Sequence, residues 1–267
     1  MTLPPGGLAR LVAAALPDEG LTTADLETCC YGPDTVVLGD ERAAAVLTVK
    51  GSGALAAAWL VLLAVHPDCQ HEGRARALVA ESARRARSAG AGDLHLGTAI
   101  PRYVWPGVDF RFTAALGLFE AMGFEPYGAA CNMGITTSFR AGSPAGVVID
   151  REDGDGAAAL ATRCFRHWCD EVERGVAAGG CYVAREGGDT IGFACHSVNR
   201  AGWIGPMATD PERQHGGVGR SLLGAVCAAL AEAGRAEADI AWVGPIGFYS
   251  KAGATVSRVF RNARLSL

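Results

Sequence analysis

The stretch Gln70-His71-Glu72-Gly73-Arg74-Ala75-Arg76 returns late in the chain as Gln214-His215-Gly216-Gly217-Val218-Gly219-Arg220, and this repeat decides the fold. In both copies a Pro stands three residues upstream (Pro67, Pro211) and an apolar, strand-like run comes before it. A helix-patterned segment follows each, with Leu78 and Val79 in the first and Leu222 and Leu223 in the second. A Gln-x-x-Gly-x-Gly/Ala turn between strand and helix presents consecutive backbone N–H groups at a helix N-terminus, where a phosphate or pyrophosphate is held. Glycine suits that turn because a side chain would block close approach of the backbone to the ligand. One such turn is weak evidence, but two in the same context point to a bound anion.

A second pair of matches follows the turns. Leu118-Phe119-Glu120-Ala121-Met122-Gly123-Phe124 corresponds to Phe248-Tyr249-Ser250-Lys251-Ala252-Gly253-Ala254. The offset is 144 at the turns (214 − 70) and 130 here (248 − 118), so the first half carries 14 additional residues between its motifs. That is longer than most connections. The segment Ala99 to Phe110 is the expected insertion.

These paired signatures resemble the GNAT superfamily of acetyl-CoA-dependent N-acetyltransferases, whose pyrophosphate turn reads Gln/Arg-x-x-Gly-x-Gly/Ala and whose last helix commonly carries Tyr-x-x-x-Gly-Phe. The resemblance covers nearly the whole chain as two tandem domains. It implies an α/β fold of two GNAT-like domains, each a central mixed, largely antiparallel sheet flanked by helices, with one parallel crossover around the turn helix. The second half keeps the tyrosine as Tyr249 but has Ala254 for the usual Phe; the first has Phe119 for the tyrosine and keeps Phe124.

Composition agrees with a globular pair of domains. The 267 residues are 49% apolar and 19% charged, enough for a core in each half. The longest apolar run, Ala54 to Val65, is too short for a membrane span and reads as a buried strand. Pro4, Pro5 and the lack of a basic stretch ahead of the apolar patch Leu8 to Leu16 argue against a signal peptide, so cytoplasmic residence is expected. A net charge of −4 without a Lys/Arg block argues against a nucleic-acid partner. The nine cysteines show no Cys-x-x-Cys or zinc-like Cys/His spacing, so no metal is expected and free thiols are. Self-association into a homodimer stays an open expectation.

The chain order predicts helices over Gly7 to Leu16 and Thr22 to Cys30, strands at Thr35 to Leu38, Ala43 to Lys50 and Leu55 to Val65, and a helix from Gly73 to about Ser88. A strand at Asp93 to Thr98, a helix near Ala114 to Met122 and two closing strands to about Phe139 complete the first half. Residues 1–140 form the expected N-terminal domain. The segment 141–146 is the linker, small and Gly/Pro-containing, and 147–267 is the C-terminal domain. There the strands fall at Val147 to Ile149, Cys181 to Arg185, Thr190 to Ser197, Gly202 to Thr209 and Ile240 to Val243, with closing strands from Ala254 to Leu265. Helices fall around Ala157 to Arg174, Gly217 to Ala233 and Ile246 to Lys251.

Chemistry is expected mainly in the C-terminal domain. Gly205-Pro206-Met207 interrupts a strand, and a Pro there predicts a bulge or splay. The resemblance implies that pantetheine pairs with this strand and that an N–H at Met207, helped by Ala208 and Thr209, polarises the acetyl carbonyl, while Gln214, His215, Gly216, Gly217, Val218, Gly219 and Arg220 hold the pyrophosphate. Tyr249 is the candidate general acid, because a phenol stays protonated at neutral pH and can return a proton to a leaving thiolate; its alternative is an ordinary core aromatic. For the base, Glu171, Asp170, Glu173 and His196 border the acceptor cleft in such a fold, although acidic helix faces are usually solvated and histidines beside apolar neighbours usually structural. In the first domain, Leu63 takes the place of Met207, with Ala64 and Val65 following, and Gln70, His71, Glu72, Gly73, Arg74, Ala75 and Arg76 form the equivalent cradle. Phe119 cannot donate a proton there, so that domain is expected to bind acetyl-CoA without turnover or to act as a structural partner. The loop Pro101 to Gly107 is either an acceptor wall or a cover for the domain interface. The reaction implied is acetyl transfer from acetyl-CoA to a primary amine of a small molecule, by direct attack in a ternary complex. The rivals are a non-catalytic acyl-CoA-binding protein and a protein or peptide N-acetyltransferase.

Overall fold

The structure, a computed structural model, describes residues 2–267. Its contacts divide the chain into unit 1, Met1–Ala130 with Val259–Leu267, and unit 2, Cys131–Arg258.

Unit 1 opens on two helices, α1 (Pro5–Ala15) and α2 (Thr23–Cys30). The start of α2 is fixed by a capping box: the Thr22 hydroxyl accepts from Asp25 N at 3.1 Å, and the Asp25 carboxylate accepts from Thr22 N at 2.9 Å. Strands β1 (Thr35–Asp40), β2 (Ala43–Lys50) and β3 (Ala57–Val65) then pair antiparallel. Helix α3 (Arg74–Ser88) carries the chain across to β4 (Asp93–Leu96), parallel to β3, with Ala58, Trp59 and Leu60 opposite Leu94, His95 and Leu96. The short β5 (Val108–Asp109) and α4 (Thr113–Ala121) follow. One core layer joins Leu8, Leu11 and Leu26 of α1 and α2 to Val61, Leu62 and Ala64 of β3. The other joins Val79 of α3 and Phe119 of α4 to Leu60 and Leu94. Val61 and Leu62 are neighbours yet face the same layer, because the β2–β3 register slips beside them.

Unit 2 repeats this plan with an additional first strand. Strand β7 (Val147–Arg151) precedes α5 (Gly156–Cys164) and α6 (Cys169–Ala177). Strands β8 (Cys181–Glu186), β9 (Asp189–His196) and β10 (Trp203–Thr209) run antiparallel, and after α7 (Val218–Glu232), β11 (Glu237–Ile240) lies parallel to β10. A short α8 (Ile246–Ser250) follows. Ile204, Ala194 and Tyr249 pack with α7 on one face; Phe193, Cys195 and Val172 pack with α5 and α6 on the other.

Each half was expected to close on two strands. Instead there is one twelve-residue strand in each, β6 (Glu125–Thr136) and β12 (Thr255–Ser266), because each strand begins in one unit and ends in the other. Residues 133–136 of β6 pair with β11 in unit 2, and residues 264–266 of β12 pair with β4 in unit 1. The chain therefore does not divide by contacts into 1–140 and 147–267. The compositional linker is itself held in unit 2, where Ser221 Oγ donates to Gly142 O at 2.8 Å. The strand expected at Ile240 to Val243 ends at Ile240, since Trp242 adopts φ 47° and its N–H donates to Asn132 Oδ1 at 2.9 Å, which breaks the extended run.

Candidate functional site

Both glycine-rich turns fold into the same backbone shape. His71 and Gly73 have φ of 60° and 79°; His215 and Gly217 have 68° and 90°. Left-handed residues at alternate positions curl successive amides into a concave anion nest. Among the described residues no backbone acceptor takes the amides of His71 to Arg76 or of His215 to Gly219. Holding a histidine in this conformation costs about 1–3 kcal/mol, and it happens at the same place in both repeats. The glycines are thus required for their φ, more than for the room they leave. The charge of Glu72 is met by Arg74, whose Nε donates to its carboxylate at 2.9 Å. Arg213 pairs with Glu186. Arg220 does not point into its turn: its amide donates to Gly217 O, and its guanidinium donates to Lys251 O and lies over the Phe139 ring.

Beside each nest the two parallel strands part. In unit 1 the pairing stops at Leu60 and Leu96, after which Gly97 N donates to Leu60 O at 3.0 Å. In unit 2 it stops at Ile204 and Ile240, and Ala241 N donates to Ile204 O at 3.3 Å. The expected irregularity at Gly205-Pro206 is present as a register shift between Ile204 and Met207. Leu63 lies opposite Ala45 and Met207 opposite Ala194, so the two residues are equivalent in register, with Ala64 and Val65 matching Ala208 and Thr209. A cavity of about 630 Å³ fills the parting in unit 1, bordered by Leu63, Ala64 and Val65 and by all the turn residues but Glu72. At the corresponding place in unit 2, Phe248 packs beside Gly219 and Tyr249 reaches Met207.

Tyr249 is 7% exposed, and its hydroxyl lies 3.7 Å from the Met207 sulfur. Burial pushes the phenol up to about 12, so it keeps its proton across the whole neutral range. Phe119 occupies the matching position in unit 1, buried against Phe124 and bordering the cavity. Glu171, the candidate base whose alternative was a solvated helix face, is 4% exposed on α6. Burial raises its carboxyl to about 7, against the lowering effects of Arg174 and of Asn199 Nδ2, which donates to it at 3.0 Å. Its field is felt by Cys195, whose side chain belongs to the α5–α6 face, whereas Met207 and Tyr249 belong to the α7 face. The sheet therefore separates Glu171 from Tyr249. Asp170 is tied to Arg174 at 2.6 Å rather than presented as a free anion. His196 donates or accepts at Nδ1 with Ser197 and lies beside Tyr182, its pKa lowered by burial and by Arg151.

Sequence reasoning did not find three polar features. Glu152, in the acidic turn before α5, is buried and accepts from Ala157 N, Gly154 N and Arg185. In unit 1, Trp105 Nε1 donates to buried Glu19 at 2.8 Å, and Arg111 bridges Glu19 and Asp109. Asn132, fully buried, has an Nδ2 without a partner. Only Trp105 carried a signal, as the aromatic of a Pro-punctuated insertion. Among the described residues no His/Cys/Asp/Glu group is arranged to hold a metal, all nine cysteines are free thiols, and no helix is long and apolar enough to cross a membrane.

In each unit a pair of parallel strands parts beside a nest of amides, and this is the fold of tandem GNAT acetyltransferases. Residues 177–253, within unit 2, match the family model of the acetyltransferase (GNAT) domain. Among similar solved structures is a GCN5-related glucosamine N-acetyltransferase region of a fungal multi-domain GH3 β-N-acetylglucosaminidase (TM-score 0.77, 18% identity, 98% of this chain and 37% of that one). Another is a tandem GNAT protein from the clavulanic acid biosynthesis pathway (0.73, 16%, 98% and 94%). A third is a GCN5-related N-acetyltransferase from Sphaerobacter thermophilus (0.65, 19%, 98% and 93%). The chain spans little more than a third of the fungal protein. No curated protein matches by sequence. The amide nests and the adjoining partings fit the diphosphate and the extended arm of a CoA thioester.

Proposed function

We propose that the chain transfers an acetyl group from acetyl-CoA to a primary amine of a small molecule, with the chemistry in unit 2. The observation that carries this reading is the Tyr249 hydroxyl beside Met207, at the strand position where β10 leaves β11. The thioester supplies an activated acetyl group. The nest from Gln214 to Gly219 holds its phosphates, and the amides of Met207, Ala208 and Thr209 line the strand beside its arm. Such fixed donors typically contribute a few kcal/mol where a carbonyl oxygen gains charge. Tyr249 donates a hydrogen bond to the departing sulfur; with its pKa near 12 it stabilises the growing thiolate first and gives up its proton only as that charge develops. Glu171, near 7, is the group assigned to take the proton of the incoming ammonium, which on this reading approaches the parted strands from the α5–α6 face, opposite Tyr249. Cytoplasmic residence and a small-molecule partner belong to the same proposal. The glucosamine activity named for the fungal neighbour places amino sugars among the first amines to try.

The test is CoA release from acetyl-CoA across a panel of amino sugars, amino acids, polyamines and peptides. A small amine should be turned over, and Tyr249→Phe should lower kcat by roughly 10²-fold with acetyl-CoA affinity near wild type. Turnover of peptides alone moves the acceptor class to proteins; a Phe variant with full kcat, where chemistry limits turnover, ends the assignment to unit 2.

A further inference from the structure

We propose that unit 1 is a second thioester site, one that takes uncharged acyl chains longer than acetyl and holds them without transferring them. This goes beyond acetyl transfer in unit 2 and is tested separately from it. The cavity in unit 1 passes through the sheet at the parting of β3 and β4: Leu63 and Phe119 border it on the α3 face, and Leu16, Val61 and Trp105 on the α1 face. The nest from Gln70 to Arg76 opens α3 and borders the same cavity. A thioester anchored there by its phosphates has its acyl end directed through the parting, toward the end of α1. On that side the cavity is bordered by Ala15, Leu16, Trp105 and Phe112, none of which offers a charge, and this part of it is the acyl chamber of the proposal.

The lining disfavours acidic acyl groups. Arg111 borders the cavity, but its guanidinium is already engaged by Asp109 at 3.0 Å and Glu19 at 3.1 Å, whose side chains are almost wholly buried. A terminal carboxylate entering there gives up its water for an apolar lining and meets a cation that is already paired, whereas an alkyl chain gains from the same surface. Turnover lacks its donor as well, since Phe119 has no hydroxyl where unit 2 has that of Tyr249. Each further methylene buried in such a chamber tightens binding by up to about fourfold.

Calorimetric titration of the full chain with acetyl-, butanoyl-, hexanoyl- and succinyl-CoA tests this. Hexanoyl-CoA should bind tenfold or more tightly than acetyl-CoA, and succinyl-CoA more weakly than butanoyl-CoA. Leu16→Trp, which fills the chamber, should erase the gain for hexanoyl-CoA and leave acetyl-CoA binding unchanged; Ala15→Phe makes the same test should the first variant not fold. Equal affinities for acetyl- and hexanoyl-CoA overturn the proposal, as does a hexanoyl gain that survives both fillings. CoA release from hexanoyl-CoA that persists in Tyr249→Phe overturns the claim that unit 1 holds its thioester without transfer.

Discussion

Glu171 is the residue whose chemistry its surroundings alter most usefully. Its carboxyl sits near 7 instead of near 4.5, chiefly because it is buried. Between about pH 4.5 and 7 the native protein keeps a proton that the unfolded chain has already released, so this residue makes stability fall as pH rises through that window and level off above it. The shift of about 2.5 units (7 − 4.5) corresponds to roughly 3 kcal/mol at most. Glu171→Gln cannot ionise; its melting temperature should drop less between pH 5 and pH 8 than that of the wild type, with the two curves diverging above pH 5. If Glu171 is the base, kcat/KM of the wild type should rise toward pH 7 as its carboxyl ionises, and the same variant should lose that rise. An unchanged pH profile would assign that rise to another group. The sequence offered Glu171 only as one of several polar residues bordering an acceptor cleft, with a solvated acidic helix face as the alternative; its burial and its raised pKa were not legible there. The donor to the buried Glu171 carboxylate is Asn199, 28 residues away on the loop after β9, and no local pattern announces such a contact.

At the scale of elements, the turns were the most legible part, and the insertion the least. The Gly pattern predicted a strand, nest and helix twice, and the structure supplies the physical requirement, a left-handed φ at Gly73 and Gly217. Only Pro144 lies within 4 Å of where a Cβ at Gly217 would stand, at 3.5 Å, so a substitution there acts through the backbone rather than by collision. Gly217→Val should abolish acetyl-CoA binding at the unit 2 nest, while Gly217→Asn, a residue that tolerates the left-handed region, should retain most of it. Calorimetric stoichiometry on folded variants separates these outcomes, and equal binding by both would remove the nest from the site. The insertion carried an aromatic and prolines but no hint of its anchor. Trp105 proves to be both a wall of the unit 1 cavity and the donor to Glu19. Trp105→Phe keeps most of the packing and leaves that carboxylate one donor short, costing about 1–3 kcal/mol. Trp105→Ala should cost more, about 3–5 kcal/mol. Chemical denaturation measures both; a Phe variant as stable as the wild type would show that Glu19 does not need the indole donor.

At the scale of the whole molecule, the repeat in the sequence and the units in space are offset from each other. Periodicity marks β6 and β12 as strands, but pairing partners are non-local, and it is pairing that gives the first end of the chain its last strand. Phe260, fully buried, belongs to the core of unit 1 along with Leu8 and Leu26 of the first helices, and residues 264–266 cover the outer edge of β4. A chain ending at Arg258 therefore keeps every residue of unit 2 and strips unit 1 of an edge strand and a core aromatic. Loss of a buried Phe alone costs about 3–5 kcal/mol, a large share of the 5–15 kcal/mol that stabilises a typical domain. Limited proteolysis of that truncated chain should cut within residues 1–130 and spare a fragment beginning near Cys131. The reciprocal fragment, 147–267, lacks residues 133–136 that pair with β11 and bury Met133 and Ile135 in the unit 2 core, so it should fail to fold even though it contains both motifs of its half. A stable, cooperatively melting 147–267 fragment would show that the exchanged strands are dispensable and that the sequence repeat, rather than the pairing, sets the folding unit.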